Sequence, residues 1–242
     1  MHIPEIIAHR GSPRECLENT LAAFTRALEQ RADGIELDVH GSADGHVVVH
    51  HDAILELEPG GIAAIGELTL AELRAARLRG GHRVPLLWEV LELVGTHATV
   101  YVEVKPPHIE AAVAAVLDRY PSVRTAVHSF DHRIPAAVRT IRPGTPIGFL
   151  SDSYLIDPTG MLHPTAPDAL WQYTRLIDEA LVLAAHARGV RIIAWTENDP
   201  DRARLLASWG VDGVCTDVPA TIRAAFSPPE AMRSAPPMAP AW

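Results

Sequence analysis

The sequence predicts an α/β fold, a single (β/α)8 or TIM barrel spanning residues 1–226. Three observations predict it. Short apolar runs that read as strands alternate with helical patterns eight times along a chain of 242 residues, near the roughly 250 residues usual for such a barrel. No GxGxxG follows any of these runs, which argues against an open doubly wound sheet. Ionisable residues also gather at the C-terminal ends of the strand-like runs, where a barrel carries its site.

Taken in order, residues 5–9 (EIIAH) read as a buried strand that ends at the His9-Arg10-Gly11-Ser12-Pro13 loop, so His9 stands at the strand's C-terminal end. Leu17, Leu21, Phe24 and Leu28 then recur at helical spacing, with Asn19 placed as the N-cap. Residues 33–52, DGIELDVHGSADGHVVVHHD, organise the rest. There Ile35, Leu37 and Val39 alternate with Glu36 and Asp38, so on a strand both acids share one face. Two carboxylates that close repel when buried without partners, so either that face is wet or a cation sits between them. An exposed edge strand is the alternative, and alternating charge is common there. Asp44-Gly45 marks a turn, and residues 46–50 return as a second strand ending in His51-Asp52.

The Gly-rich stretch to Gly66 shows no clear element, after which 70–78 and 86–94 read as helices. Residues 99–105 (TVYVEVK) repeat the earlier device, with Val100, Val102 and Val104 on one side and Tyr101, Glu103 and Lys105 on the other. Pro106-Pro107 stops that strand, and Ile109, Val113, Val116, Leu117 and Tyr120 form a helical face. A strand at 124–128, a helix at 131–141 capped by Asp131 and a strand at 146–150 follow. Residues 151–167 read as loop, 168–173 as a strand and 179–188 as a helix closed by Gly189. The last units are a strand at 191–196, a helix opened by Asp199-Pro200, a strand at 212–217 and a helix running to Phe226. Residues 227–242, rich in Pro and Ala, lack apolar periodicity and are expected to form a disordered tail.

Composition bounds the function. Hydrophobic residues make up 48% of the chain, enough for a sizeable core. A formal net charge of −9 argues against a general nucleic-acid or anionic-membrane surface, so an anionic substrate must be drawn by a local cation. Cys16 and Cys215 form no metal-type pair or disulfide framework and read as packing residues. No basic leader and no run of about 18 apolar residues occurs, so no membrane span is expected and the reading is soluble and cytoplasmic.

His9, Glu36, Asp38, Glu103, Lys105, Trp195 and Asp217 all fall at or near predicted strand ends. Three carboxylates without a cysteine form an oxygen-ligand set suited to one divalent ion, Mg²⁺ or Ca²⁺ rather than zinc. Such an ion holds an anion, and two histidines beside Arg10 and Lys105 suit a phosphoryl reaction in which one accepts a proton and the other donates one. With 13 histidines in the chain a single one means little; the joint pattern carries the inference.

The motifs HRG at 9–11, LENTLAAF at 17–24, RADGIELDV at 31–39 and SADGHVVVHHD at 42–52 occur in that order, followed by VEVK at 102–105, HSFD at 128–131, AWTEND at 194–199 and GVDGVCTD at 210–217. In this the chain resembles the glycerophosphodiester phosphodiesterase family over nearly everything but the tail. The resemblance implies a barrel hydrolase that uses a divalent metal to cleave a glycerophosphodiester, a small molecule, to glycerol phosphate and an alcohol. It implies His9 and His51 as the acid-base pair, Glu36, Asp38 and Glu103 as metal ligands, and Arg10 and Lys105 near the phosphate. Trp195 is expected to wall the glycerol or alcohol part, or else simply to pack beneath the neighbouring helix. His51 rather than His50 matches the family's HD. Leu17, Arg31 and Ser42-Ala43 depart from the usual proline, glycine and Thr-Lys, Leu57 stands where many members carry arginine, and residues 58–66 do not follow the pattern. Two alternatives stay open: a phospholipase-D-like enzyme acting on lysolipids, and a catalytically inactive binding module.

Overall fold

The structure, a computed structural model, describes residues 2–154 and 167–227. In chain order the elements are β1 (Glu5–His9), α1 (Leu21–Glu29), β2 (Gly34–Gly41), β3 (Val47–Val49), β4 (Ile54–Glu56), β5 (Ile62–Ala64), α2 (Leu70–Ala75) and α3 (Leu87–Val94). There follow β6 (Thr99–Val104), α4 (Glu110–Asp118), β7 (Thr125–Ser129), α5 (Arg133–Ile141), β8 (Ile147–Ser151), β9 (Ala169–Tyr173), α6 (Glu179–His186), β10 (Arg191–Trp195), α7 (Pro200–Ser208), β11 (Gly213–Thr216) and α8 (Pro219–Ala225).

The runs of Val, Ile and Leu that mark the strands suit a parallel sheet covered on both faces. Eight of the strands close on themselves in the order β1-β11-β10-β9-β8-β7-β6-β2, with β1 pairing β2. All these pairings are parallel, and β3 adds antiparallel to β2 beyond the Asp44-Gly45 turn. The expected barrel is therefore the observed one. Alternate residues divide its packing: Ile35, Leu37, Val39, Val100, Val102 and Val104 join Phe24, Leu91, Val113 and Leu117 in the layer beneath the helices. Ile7, Tyr101, Trp171, Ile193 and Cys215 form a separate cluster on the opposite strand faces. Burying a side chain such as Phe24 is worth about 1.5–3 kcal/mol, so strand register is held from the helical side. That register sets His9 beside Glu36, Asp38 beside Glu103, and Glu103 beside His128.

Several local expectations are corrected. Asn19 does not cap α1; Thr20 does, its Oγ1 accepting from the Ala23 amide at 3.2 Å. Asn19 lies at φ +54, a conformation asparagine tolerates, and turns inward to Asp38 instead. The stretch after Asp52 forms a β4–β5 hairpin, with Ile54 opposite Ala64. Asp131 stands just outside the assigned start of α5, yet its carboxylate accepts from the Arg133 amide at 3.1 Å. Residues 155–166 and 228–242, and with them most of the expected loop and the expected tail, lie outside the described residues. Among the described residues no helix is long and apolar enough to cross a membrane.

Candidate active site

The chemistry starts at the end of β1. After His9 the chain must turn sharply over α1, and Gly11 makes this possible: its φ is +89, and a Cβ there would stand 2.7 Å from the Ala23 carbonyl carbon. Arg10 is thereby folded back over β2. Its amide donates to Glu36 at 3.1 Å, its Nη1 to Glu18 at 2.9 Å, and its Nε lies 3.2 Å from Asp38 Oδ2.

Glu36 and Asp38 do share one face, and that face is buried. The sequence left a choice between water and a cation, and the structure answers with side-chain cations. Asp38 meets Arg10 on one oxygen and Lys105 at 3.3 Å on the other, while Asn19 donates to it at 2.8 Å. Burial would push the Asp38 carboxyl up, but Arg10, Lys105 and Asn19 outweigh it and hold it below its ordinary value. Lys105 also donates to Glu103 at 2.8 Å. Glu103 moves the other way, because burial and then the charges of Asp38 and Glu36 make its ionisation costly.

The two expected histidines are held alike. His9 Nδ1 meets Asp217 Oδ1 at 2.7 Å, and His51 Nδ1 meets Asp52 Oδ1 at 2.8 Å. Burial alone would lower the His9 pKa; the Asp217 bond and the Glu36 charge more than offset it and hold the pKa above its usual range. Asp217 is itself fixed by Asn198, which donates to its other oxygen at 2.8 Å and accepts from its amide at 2.8 Å.

Six of these groups line one cavity of about 260 Å³. His9, Arg10, Glu36, His51, Glu103 and Lys105 form its polar side, with Phe130, Leu150, Trp171 and Trp195 on the apolar side. Trp195 thus reaches the cavity rather than packing only beneath a helix, and it meets Phe130 and Tyr173 edge to face. His50 does not line this cavity; it faces a neighbouring groove with Cys16, Leu17 and Arg79. A more open cavity of about 770 Å³ beside the ends of β9 and β10 holds neither histidine of the pair.

Sequence reasoning missed His128 as a site residue. It lies at the end of β7 within HSFD, lines the cavity, is 1% exposed, and has no hydrogen-bond partner on either ring nitrogen among the described residues. Its strand-end position was the available signal. Glu36, Glu103 and His128 each offer a ligand atom within 4.8 Å of the others, whereas Asp38 is engaged by the two cationic side chains and stands outside that trio. The residues fit a divalent ion: two buried acids on neighbouring strands, an unpartnered imidazole, and a Glu103 carboxyl whose ionisation a second positive charge would ease.

A closed barrel with acids, histidines and cations gathered at its strand ends is the frame of a barrel enzyme. A sequence profile of the Glycerophosphoryl diester phosphodiesterase family matches residues 9–221, and the chain belongs to that family. A glycerophosphodiester phosphodiesterase of Caldanaerobacter subterraneus is 34% identical over 231 residues, 90% of this chain and 95% of the relative. Another, from Bacillus altitudinis, is 30% identical over 89% of this chain and 95% of the relative. Among solved structures, an Oleispira antarctica phosphodiesterase in complex with the product sn-glycerol-3-phosphate superposes with a TM-score of 0.85 at 26% identity, covering 93% of this chain and 97% of that one. The Thermotoga maritima glycerophosphodiester phosphodiesterase gives a TM-score of 0.79 at 30% identity, over 93% and 99%.

Proposed function

We propose that this enzyme hydrolyses small glycerophosphodiesters to glycerol phosphate and an alcohol, with His9 and His51 exchanging the protons and one divalent ion, Mg²⁺ or Ca²⁺, held by Glu36, Asp38 and Glu103. The observation that carries this reading is that both histidines open on the same cavity as the carboxylates, each with Nδ1 on a carboxylate. A carboxylate only accepts, so Nδ1 carries a proton in each pair and Nε2 is left for the substrate. Cleavage needs one proton taken from the attacking hydroxyl and one given to the departing alcohol, whether the nucleophile is the glycerol 2-hydroxyl or water.

Arg10 and Lys105 line the cavity and are the groups to hold the phosphate oxygens. A bound divalent ion supplies further positive charge where the phosphoryl group gains negative charge. Trp195, with Phe130, supports the glycerol or alcohol part from the apolar side. Phe130 is 46% exposed at this mouth, which supports a second reading, hydrolysis of lysolipids whose chain would lie over it.

A panel of glycerophosphocholine, glycerophosphoethanolamine, glycerophosphoglycerol and a lysolipid, each with Mg²⁺, Ca²⁺, Mn²⁺ or a chelator, tests both. Turnover of the three small diesters, lost with the chelator, is expected. Turnover of the lysolipid alone would favour the second reading, and full activity in the chelator would overturn the metal assignment. Trp195→Ala should raise KM on the preferred substrate; an unchanged KM throughout the panel would leave that side chain a packing role only.

A further inference from the structure

We infer that His128 is a nitrogen ligand of the divalent ion, which makes this a mixed oxygen and nitrogen site favouring a first-row transition ion such as Mn²⁺ over Ca²⁺. The inference rests on the proposed cation and specifies its ligands. An imidazole whose two nitrogens are buried without partners has lost its hydrogen bonds to water and gained none in return, so a buried histidine in that state calls for something to bind. His128 is 1% exposed and both of its nitrogens lack a partner among the described residues.

Its ring is also held in place. It stacks on Trp171 at 4.3 Å between centroids and 8° between planes. Trp171 lies over Gly148, where a Cβ would stand 2.7 Å from the indole, and its carbonyl accepts from Trp195 Nε1 at 2.9 Å. From this seat His128 Nε2 is 3.7 Å from Glu36 Oε1, and Glu103, its register neighbour, completes a trio of ligand atoms within 4.8 Å of one another. Neighbouring ligands on an ion with bonds of roughly 2.0–2.3 Å stand about 3–4 Å apart; the His128–Glu36 separation lies in that range and the trio's outer limit of 4.8 Å lies close to it.

Donor chemistry then decides the preference. Carboxylates alone suit Mg²⁺, Ca²⁺ and Mn²⁺, whereas an imidazole adds affinity for transition ions and little for Ca²⁺. His128 therefore discriminates between ions that Glu36, Asp38 and Glu103 accept alike.

Pulsed EPR of the full chain, stripped of metal and loaded with Mn²⁺, reads the ligand directly. The wild type should show the modulation of a coordinated imidazole nitrogen, and both His128→Gln and His128→Asn should lose it while His51→Gln keeps it. Calorimetry should find Mn²⁺ affinity reduced about 10-fold or more in His128→Gln, with Ca²⁺ affinity changed less than about twofold. Bound Mn²⁺ without nitrogen modulation in the wild type, or equal losses for Mn²⁺ and Ca²⁺, would overturn the inference and leave the proposed reaction standing. No Mn²⁺ or Ca²⁺ binding by the wild type, together with chelator-resistant activity, would overturn the metal site and this inference with it.

Discussion

Asp217 accepts a hydrogen bond from His9 Nδ1 at 2.7 Å, across 208 positions of sequence, and Asn198 fixes the Asp217 carboxylate from behind. The pair acts on His9 in two ways: it sets the tautomer, and it holds the imidazole pKa above its usual range against the effect of burial. Asp217→Asn should therefore cost about 10²-fold in kcat, within the range of a positioned acid or base, with KM much less affected. Because the charge that raises the His9 pKa is gone, the limb of the pH–rate profile that belongs to His9 should move to lower pH. For stability the same sign applies. A raised folded-state pKa adds stability below the unfolded value of about 6.5 that is lost as pH rises through the folded value, so the variant's deficit should be largest on the acid side. A profile unchanged in position would show that Asp217 does not tune His9.

His9 and His51 should each be indispensable to turnover. His9→Ala or His51→Ala is expected to lower kcat by about 10²- to 10⁴-fold with the fold kept. His50 is the internal control, because it faces the groove of Cys16 and Arg79 and not the cavity of His9. Kinetics showing His51→Ala active and His50→Ala dead would reverse the assignment.

Glu36 and Glu103 line the cavity with Arg10 and Lys105, and Asp38 pairs with both of these cations. A divalent ion that binds the folded state alone stabilises it by about 2.7 kcal/mol at 100 times its Kd. Thermal unfolding with and without Mn²⁺, Mg²⁺ or Ca²⁺ should show an upward shift in Tm that Glu103→Gln reduces. No shift with any of the three ions would count against a site here.

Arg31 occupies a backbone position that favours glycine. Its φ is +59, and it ends α1 in a paired cap: its amide donates to Leu28 at 2.9 Å and the Ala32 amide donates to Ala27 at 3.1 Å. This is the left-handed residue of a Schellman motif, at which a side chain costs energy that glycine avoids. Arg31→Gly should raise stability by about 0.5–1 kcal/mol, measured by denaturant unfolding, without altering kcat.

Much of the architecture was legible because it rests on local periodicity. The alternation in GIELDV and TVYVEV, the proline and glycine stops, and the Asp199-Pro200 opening of α7 each follow from short-range geometry, and all appear where expected. Asn19 was misread for a related reason. Its residue type fits an N-cap, but the stronger demand comes from Asp38, a buried carboxylate brought against it by the closure of β1 on β2. Partners that distant leave no periodic trace.

The sequence by itself determined the barrel, the identity of the acids, and the strand ends at which His9, Glu36, Asp38, Glu103 and Lys105 emerge, since each depends on the period of two along a strand. Only the tertiary structure decided which of these meet. Inter-strand register set Asp38 beside Glu103 and Glu103 beside His128. It also directed His51 into the cavity and His50 out of it, and joined His9 to Asp217 from opposite ends of the chain. Those contacts come from closing a sheet whose register is held by the packing of its other face against the helices, a sum over many distant residues that no short stretch of sequence contains.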